Sequence, residues 1–192
     1  MELDTSCKTD WTYSMRRDMQ MIIPGLYLGP FSAATKSKCQ QLHDNGITHI
    51  ICLRHQLEAR FIRPNFPESF KYLVIDVADN PCENIMQYFT RSNAFIDECF
   101  SVGGKVLVHG NGGISRSATI VIAFIMIHYN STFERAFELV QGQRFCIKPN
   151  MGFLAQLKEY EPIYQAKCMA LEKEQPTSYH SGKKRSIEDI ES

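Results

Sequence analysis

The sequence predicts an α/β fold in which a mostly parallel central sheet is flanked by helices. Strand-like and helix-like segments alternate along the chain, which is the pattern of parallel sheets with crossover helices. Residues 106–127 also run from an apolar strand end through a glycine-dense turn into a long apolar stretch. At 192 residues and 44% hydrophobic composition, the chain suits one globular domain of roughly 150 residues with short tails.

The first elements are predicted from apolar runs and turn residues. Residues 1–17 are polar and irregular, and we expect a flexible N-terminal segment. Residues 22–29, IIPGLYLG, are apolar but broken by a proline and a glycine. Ser32 is placed to cap a helix. That helix should end at Asn45 and Gly46, a favourable pair for a helix C-terminus.

Two strands are predicted next. Residues 47–53, ITHIICL, and residues 70–77 are rich in β-branched and aromatic side chains, which favour strands. The segment between them, residues 54–69, is loop-like around two prolines and receives no element. Asp79 follows the end of the second strand.

Helices are predicted in the C-terminal half. Residues 84–100 carry apolar side chains at helical spacing, namely Ile85, Phe89, Ile96 and Phe100. Gly103 and Gly104 then turn the chain into the central strand. The apolar run at residues 118–127 is too short to span a membrane and suits a buried central helix.

Two more helices should follow, and then a polar tail. Ser131 and Glu134 form a capping-box pattern that starts the first of them. The closing helix has an apolar face, although Pro162 is expected to kink or end it. The members of that face are Phe153, Leu157, Tyr160 and Tyr164. Residues 169–192 lack large apolar side chains, and we expect a disordered tail.

The stretch VLVHGNGGISRS, residues 106–117, is the strongest functional signal. Its order of strand, glycine-rich loop and helix start places successive backbone N–H groups around one point at the positive end of a helix. Such a point holds a phosphate or another dianion. Arg116 adds a planar fork of donors that suits two phosphate oxygens.

Residues 109–117 resemble the signature loop of cysteine-dependent protein tyrosine and dual-specificity phosphatases, His-Cys-x-x-Gly-x-x-Arg-Ser/Thr. His109, Gly113, Arg116 and Ser117 are in register, and Gly110 stands where the family has its cysteine. The resemblance covers residues 22–164 and includes a Pro-Asn-x-Gly-Phe segment near the C-terminus. It implies the fold of that family over residues 18–168.

The resemblance also implies what the loop has lost and kept. The family's thiolate attacks phosphorus, whereas glycine has no side chain to attack with. Loss of a nucleophile that works as part of a unit removes about six orders of magnitude of rate, so an inactive member, a pseudophosphatase, is expected. The implied phosphate-binding residues are Gly110, Asn111, Gly112, Gly113, Ile114, Ser115 and Arg116, with His109 and Ser117 supporting the loop.

Other residues in or near the motif have two interpretations each. Asp79 matches the family's general acid, which protonates the leaving oxygen, or it is an N-cap or turn aspartate before Pro81. His109 is interpreted as a structural hydrogen-bonding residue rather than a proton-transfer group. Ser115 and Ser117 lie where hydroxyls cap helix N–H groups, in preference to acting as a replacement nucleophile.

Three functions compete on this sequence. The first is a reader of phosphorylated Ser, Thr or Tyr segments that anchors or shields them without hydrolysis, and it is the one we favour. The second is a weak residual dual-specificity phosphatase. The third is a phosphate-independent scaffold that merely inherits the fold.

Composition limits the partners and cofactors. The net charge is zero, so nucleic acid is not expected as a partner. Neither secretion nor membrane spanning is indicated. The seven cysteines show no C-x-x-C pair and no Cys/His metal spacing, which is typical of thiols in a reducing compartment. We therefore expect no metal and no cofactor.

The resemblance implies phosphorylated mitogen-activated protein kinases as partners, and an F-box ubiquitin-ligase adaptor as a second candidate. It also implies an intracellular protein of the cytoplasm and nucleus. Lys183, Lys184 and Arg185 could form a nuclear import signal, but the acidic residues after them favour a solvated tail.

Overall fold

One sheet organises the structure, a computed structural model that describes residues 11–174, with side chains through residue 168. Within that range the strands are β1 (Gln20–Ile23), β2 (Leu26–Pro30), β3 (Ile47–Arg54), β4 (Lys71–Asp76) and β5 (Lys105–Gly110). Their order across the sheet is β1-β2-β5-β3-β4. β1 pairs antiparallel with β2, and the remaining pairs are parallel. The predicted α/β fold with a mostly parallel sheet is confirmed.

Helices cover both faces of the sheet. The α-helices are α1 (Cys39–Asp44), α2 (Phe89–Ser101), α3 (Arg116–His128), α4 (Phe133–Gln143) and α5 (Met151–Glu174). Short 3-10 helices lie at Tyr13–Arg17, Phe31–Ala34, Lys36–Lys38, Gln56–Glu58 and Met86–Tyr88. None of the helices formed by these residues combines the length and apolar composition needed to cross a bilayer.

The central strand β5 divides the core in two, because its side chains alternate between the faces of the sheet. Val106 and Val108 belong to the larger cluster, which is shared with helices α2 to α5, whereas Leu107 belongs to the smaller cluster near α1. Residues 116–126 of α3 are all buried. The predicted buried central helix is therefore confirmed, and it fixes the end of the loop that precedes it.

The two hydroxyls expected to start helices do not do so. Ser32 lies inside a 3-10 helix, and its hydroxyl donates to the carbonyl of Arg17 (2.9 Å). Helix α4 is capped by Thr132, whose hydroxyl accepts from the N–H of Arg135, so the predicted capping box of Ser131 and Glu134 is wrong. Ser131 is instead buried, and its carbonyl accepts a hydrogen bond from the Tyr164 hydroxyl.

Helix ends agree with the sequence in some places and differ in others. Gly46 follows α1 with φ +72°, as the Asn45 and Gly46 pair predicts. Helix α2 begins at Phe89, five residues after the predicted start at 84, because Asn84 hydrogen-bonds Gln87 and a 3-10 turn intervenes.

Pro162 does not end α5, which continues through it to Glu174. Proline removes one helical hydrogen bond, but Tyr160 and Tyr164 on either side are buried in the larger core cluster. Packing therefore outweighs the local preference. Helix α5 extends into the stretch predicted as a tail from residue 169, and the 3-10 helix Tyr13–Arg17 falls in the segment predicted as flexible. Lys183, Lys184 and Arg185 lie outside the described residues.

Gly152 allows α5 to approach the loop that carries Asp79. A Cβ at Gly152 would lie 1.8 Å from the carbonyl oxygen of Pro81, which no real structure tolerates. We expect Gly152→Ala to lower the free energy of unfolding by about 2–3 kcal/mol, within the range of overpacking in a close contact. Chemical denaturation measures this change.

Gly142 is the matched control, since it also lies in a helix but a Cβ there meets nothing within 4 Å. Gly142→Ala should raise the stability by about 0.5–1 kcal/mol through helix propensity. Equal effects of the two substitutions would contradict the close approach at Pro81.

Candidate functional site

The loop between β5 and α3 lies at the carboxyl end of the parallel strands, where open α/β sheets bind ligands. It forms the floor of a pocket of about 770 Å³. All seven residues predicted to bind phosphate line this pocket, namely Gly110, Asn111, Gly112, Gly113, Ile114, Ser115 and Arg116. We call residues 110–116 the anion loop. Its phosphate-binding role stays a prediction.

The carbonyl groups of the anion loop are tied to the surrounding scaffold. Each carbonyl oxygen from residue 111 to residue 115 accepts at least one hydrogen bond, from Phe31 N, Arg144 Nη2, Arg144 Nε, Lys148 N and Thr119 N in turn. The C=O and N–H of a trans peptide unit point in opposite directions. The N–H groups of residues 112–116 therefore face the other way, and they donate to no other described residue. We call these five N–H groups the cradle, and they are available as donors to a ligand in the pocket.

Gly113 is required by the shape of this loop. It has φ +65°, and a Cβ there would lie 2.4 Å from the carbonyl oxygen of Gly29 at the end of β2. Glycine alone allows both the left-handed backbone and the close approach of loop and strand. A steric requirement therefore explains why the sequence motif has glycine at this position.

Arg144 is a loop-supporting residue that sequence reasoning missed. Its side chain is fully buried, and its guanidinium donates to the carbonyls of Gly113 (2.8 Å) and Gly112 (3.2 Å). It also donates to the carbonyls of Arg16 and Asp18 and to the side chain of Gln20. Burial lowers the pKa of Arg144 from its ordinary value, and the surrounding carbonyl groups supply the acceptors that a buried guanidinium needs.

Glu58 is a second missed residue, and it orients Arg116. Its carboxylate accepts from Arg116 Nη1 (2.6 Å) and Nη2 (3.1 Å). Arg116 Nη1 also donates to the carbonyl of Val77 (3.2 Å). Three of the five guanidinium N–H groups are thus used. The Nε–H and one Nη2–H have no acceptor among the described residues, and they form the side-on fork that suits two oxygens of a phosphate.

The ionisation of Glu58 keeps this arrangement in place. Burial raises the pKa of Glu58, but hydrogen bonds from Arg116, the His55 N–H and Asn111 outweigh it and hold the pKa below its ordinary value. Glu58 is therefore a carboxylate at neutral pH. It lies in residues 54–69, to which the sequence assigned no element, and a single glutamate there carries no distinguishing pattern.

Asp79 lies beside the anion loop in a three-residue network. Its Oδ1 accepts from Ser115 Oγ (2.6 Å) and from Asn150 Nδ2 (2.8 Å), and Ser115 Oγ accepts from the Asn150 N–H (3.2 Å). Ser115 therefore does not cap α3 with its side chain, contrary to the prediction. Nor does Asp79 make the turn before Pro81. Asn80 does so, since its side chain accepts from Cys82 N.

Position 110 has room for a side chain. Gly110 has a backbone conformation open to L-residues, and a Cβ there would lie 3.4 Å from Ser117 Oγ and 3.6 Å from the Leu53 carbonyl oxygen. These are ordinary van der Waals distances. The Ser117 hydroxyl, predicted to cap N–H groups, is instead buried without a hydrogen-bond partner among the described residues.

His109 lies behind the loop, as expected. It is 1% exposed, and its Nδ1 has no hydrogen-bond partner among the described residues. Burial lowers the pKa of His109 to about 4, and a hydrogen bond with the Gly110 backbone opposes this only in part. The imidazole is therefore neutral at physiological pH.

The cysteines of the described range are free thiols. Burial raises the pKa of Cys52, on β3, to about 12, so it carries no reactive thiolate. Residues 11–174 contain no group of three or more His, Cys, Asp or Glu side chains that could hold a metal ion.

The fold and the loop together define a class of protein in which the central strand of a mostly parallel sheet runs through a glycine-rich loop into a buried helix. The family model for the dual specificity phosphatase catalytic domain matches residues 26–163, and the chain belongs to that family.

Within the family, the chain is similar to proteins named for interaction rather than catalysis. Serine/threonine/tyrosine-interacting protein B of Xenopus laevis is 60% identical over 158 residues, which are 82% of this chain and 71% of that protein. The human serine/threonine/tyrosine-interacting protein is 55% identical over 184 residues, 92% of this chain and 82% of that one.

A solved structure supports the same relationship. The crystal structure of human tyrosine phosphatase-like serine/threonine/tyrosine-interacting protein superposes with a TM-score of 0.77 at 58% sequence identity. The match covers 78% of this chain and 99% of that one.

The buried His109 makes stability depend on pH. In the folded protein it stays neutral down to about pH 4, whereas in the unfolded chain it takes up a proton near the ordinary histidine pKa of 6.5. Since the unfolded state binds more protons in this window, the free energy of unfolding should fall as the pH drops from 6.5 to 4. The His109 contribution to this loss is about 3 kcal/mol when complete.

The measurement is urea denaturation at several pH values in this window. His109→Gln cannot titrate, so its stability should decline less steeply than that of wild type. A wild-type slope in His109→Gln would show that His109 is not held neutral by the fold.

Proposed function

We propose that this protein is a catalytically inactive dual-specificity phosphatase that binds phosphorylated Ser, Thr or Tyr segments and anchors or shields them. The observation that carries this proposal is an anion cradle that surrounds a residue without a side chain. The N–H groups of residues 112–116 and the side-on fork of Arg116 are in place around Gly110. The position that resembles the family's nucleophile offers nothing that could attack phosphorus.

Neighbouring hydroxyls are poor substitutes for the missing thiolate. Ser115 donates its proton to Asp79 at 2.6 Å and accepts from Asn150. The Ser117 hydroxyl is buried beneath the loop, and neither serine is paired with a basic histidine. A hydroxyl needs an adjacent base to become a nucleophile. The base beside Ser115 is a carboxylate, which is much weaker than an imidazole. Hydrolysis would therefore depend on water, with about a million-fold loss of rate.

Phosphate binding depends on groups that the glycine leaves intact. A thiolate beside a phosphate dianion is a like-charge contact, and Gly110 removes it. Three glycines would make a free loop costly to order, but the hydrogen bonds to the carbonyls of residues 111–115 hold this loop in shape. The entropic cost of binding is lower for a loop that is already ordered.

The choice of partner rests on the family resemblance and not on the geometry. The human and Xenopus relatives are named for interaction with serine, threonine and tyrosine, which supports phosphorylated proteins as ligands of this chain. We propose mitogen-activated protein kinases as the first candidates and an F-box adaptor as the second, in the cytoplasm and nucleus. The zero net charge gives no reason to propose nucleic acid.

One observation favours a phosphate-independent scaffold as a second candidate function. An apolar groove of about 440 Å³ lies between α4 and α5, lined by Phe133, Phe137, Met151, Leu154, Ala155 and Lys158. A partner seated there would not need a phosphate group. Competition with free phosphate or vanadate separates the two functions, because only a ligand in the anion loop is displaced.

Arg116 should carry much of the phosphate affinity. Arg116→Met removes two charge-assisted hydrogen bonds, and we expect it to weaken binding of a phosphotyrosine peptide by ~1.5–3 kcal/mol. Arg116→Lys keeps the charge but loses the planar fork, so it should recover only part of the affinity. Calorimetric titration measures all three proteins. Equal affinities would refute the anion loop as the binding site.

Replacing Gly110 by Cys should create a phosphatase. The Cβ fits, and the Ser117 hydroxyl has no other partner among the described residues. The cradle and Arg116 lower the pKa of a thiol placed between them. Wild-type protein should show no turnover of an aryl phosphate above background, whereas folded Gly110→Cys protein should turn over steadily. Release of inorganic phosphate is the measurement.

Asp79 serves as the internal test of this variant. If it acts as the acid, Asp79→Asn in the Gly110→Cys background should slow substrates with poor leaving groups by about 10²–10⁴-fold and activated esters much less. A Gly110→Cys protein that binds phosphopeptide but releases no phosphate would show that more than the nucleophile has been lost. Wild-type turnover that Arg116→Ala abolishes would establish the residual phosphatase instead.

A further inference from the structure

A second, smaller pocket adjoins the anion loop. It has a volume of about 170 Å³ and is lined by Tyr13, Arg16, Arg17, Pro30, Ser32 and Gly112. Gly112 also lines the main pocket. The two pockets therefore adjoin at this loop residue.

Two positive charges in the small pocket have no counter-ion among residues 11–174. The side chains of Arg16 and Arg17 are exposed, and neither forms a salt bridge or a side-chain hydrogen bond with a described residue. Arg16 lies over the ring of Tyr13 at 6.0 Å. The nearby carboxylate of Asp18 faces Lys38 instead (3.9 Å). By contrast, Arg54 and Arg116 each pair with an acid.

Hydrogen bonds hold the backbone of Arg16 and Arg17 close to the anion loop. One nitrogen of the buried Arg144, Nη2, donates both to the carbonyl of Arg16 (3.1 Å) and to the carbonyl of Gly112 (3.2 Å). The carbonyl of Arg17 accepts from the Ser32 hydroxyl (2.9 Å). Because these contacts use backbone atoms, they fix the position of both residues and leave the guanidinium groups available.

The local charge balance also favours an anion here. Arg16 and the buried Arg144 repel each other, and Arg16 contributes to the lowered pKa of Arg144, after burial as the main cause. A negative group beside Arg16 would offset this repulsion. Exposed guanidinium groups bind carboxylates and phosphates through paired N–H donors.

We propose that Arg16 and Arg17 form a second anion subsite, which binds a carboxylate or a second phosphate on the same polypeptide whose phosphorylated residue lies in the anion loop. This proposal rests on the proposed function. An extended segment rises about 3.3 Å per residue, so an acidic group two or three residues from the phosphorylated one lies ~7–10 Å from it. This reach suits two pockets that share Gly112. The subsite selects phosphorylated segments with acidic neighbours.

Three peptides test the subsite with the full-length chain. The first has one phosphotyrosine and neutral neighbours, the second adds glutamates two and three residues away on both sides, and the third places phosphoserine there instead. For wild type, the added acidic groups should tighten binding about three- to ten-fold at low salt, as partly exposed ion pairs do. High salt should reduce the gain.

The double variant Arg16→Gln/Arg17→Gln provides the decisive comparison. The ratio of affinities for the acidic and neutral phosphopeptides should fall to about one, since the pair of charges is gone. A matched control, Arg91→Gln/Lys167→Gln, removes two exposed positive charges that line neither pocket, and it should keep the wild-type ratio. A gain with phosphoserine but not with glutamate would assign the subsite to phosphate.

Two results would overturn the subsite while leaving the proposed function intact. One is a neutral phosphopeptide that binds in an Arg116-dependent way but gains nothing from acidic neighbours. The other is an equal gain in the wild type and in the Arg16→Gln/Arg17→Gln variant. If wild type binds none of the phosphopeptides, both the proposed function and the subsite are wrong.

Discussion

The hydrogen bonds that hold the carbonyl groups of the anion loop away from the pocket are the constraint on which the site depends. A loop with three glycines in four residues has little shape of its own. Here Arg144, buried at the back, binds two of its carbonyls and at the same time joins the segment before β1 to the loop. Without those bonds the peptide units could turn, and the cradle of N–H groups would not persist.

This construction separates binding from catalysis. The cradle is made of backbone groups, and the fork of Arg116 is set by Glu58 from outside the loop, so neither needs a side chain at position 110. A nucleophile can therefore be lost in one substitution while the affinity for phosphate groups is kept. On the proposed function, such a change turns a phosphatase fold into a phosphate reader. The stability of the domain comes from the buried α3 and the sheet, which the change does not touch.

Features that depend on residues close together in the sequence could be predicted, and features that depend on distant residues could not. The fold class and the loop were predictable because strand, glycines, Arg116 and buried helix follow one another within 20 residues or so. Glu58 and Arg144 were not predictable, since their contacts with the anion loop span 31 to 58 positions and neither stands in a local pattern. The roles expected for Ser32 and Ser115 were wrong for the same reason, because tertiary partners replaced the local capping bonds. Ser131 differs, since its hydroxyl is buried without a partner among the described residues and the adjacent Thr132 caps α4.

The central claim is that the anion loop binds a phosphate group carried by a protein segment. The most direct measurement is calorimetric titration of wild-type protein with one peptide in two forms, phosphorylated and unphosphorylated, each repeated in the presence of vanadate. The account predicts that only the phosphorylated form binds and that vanadate weakens it competitively. Equal binding of both forms, unaffected by vanadate, would contradict the account and favour a scaffold that uses another surface.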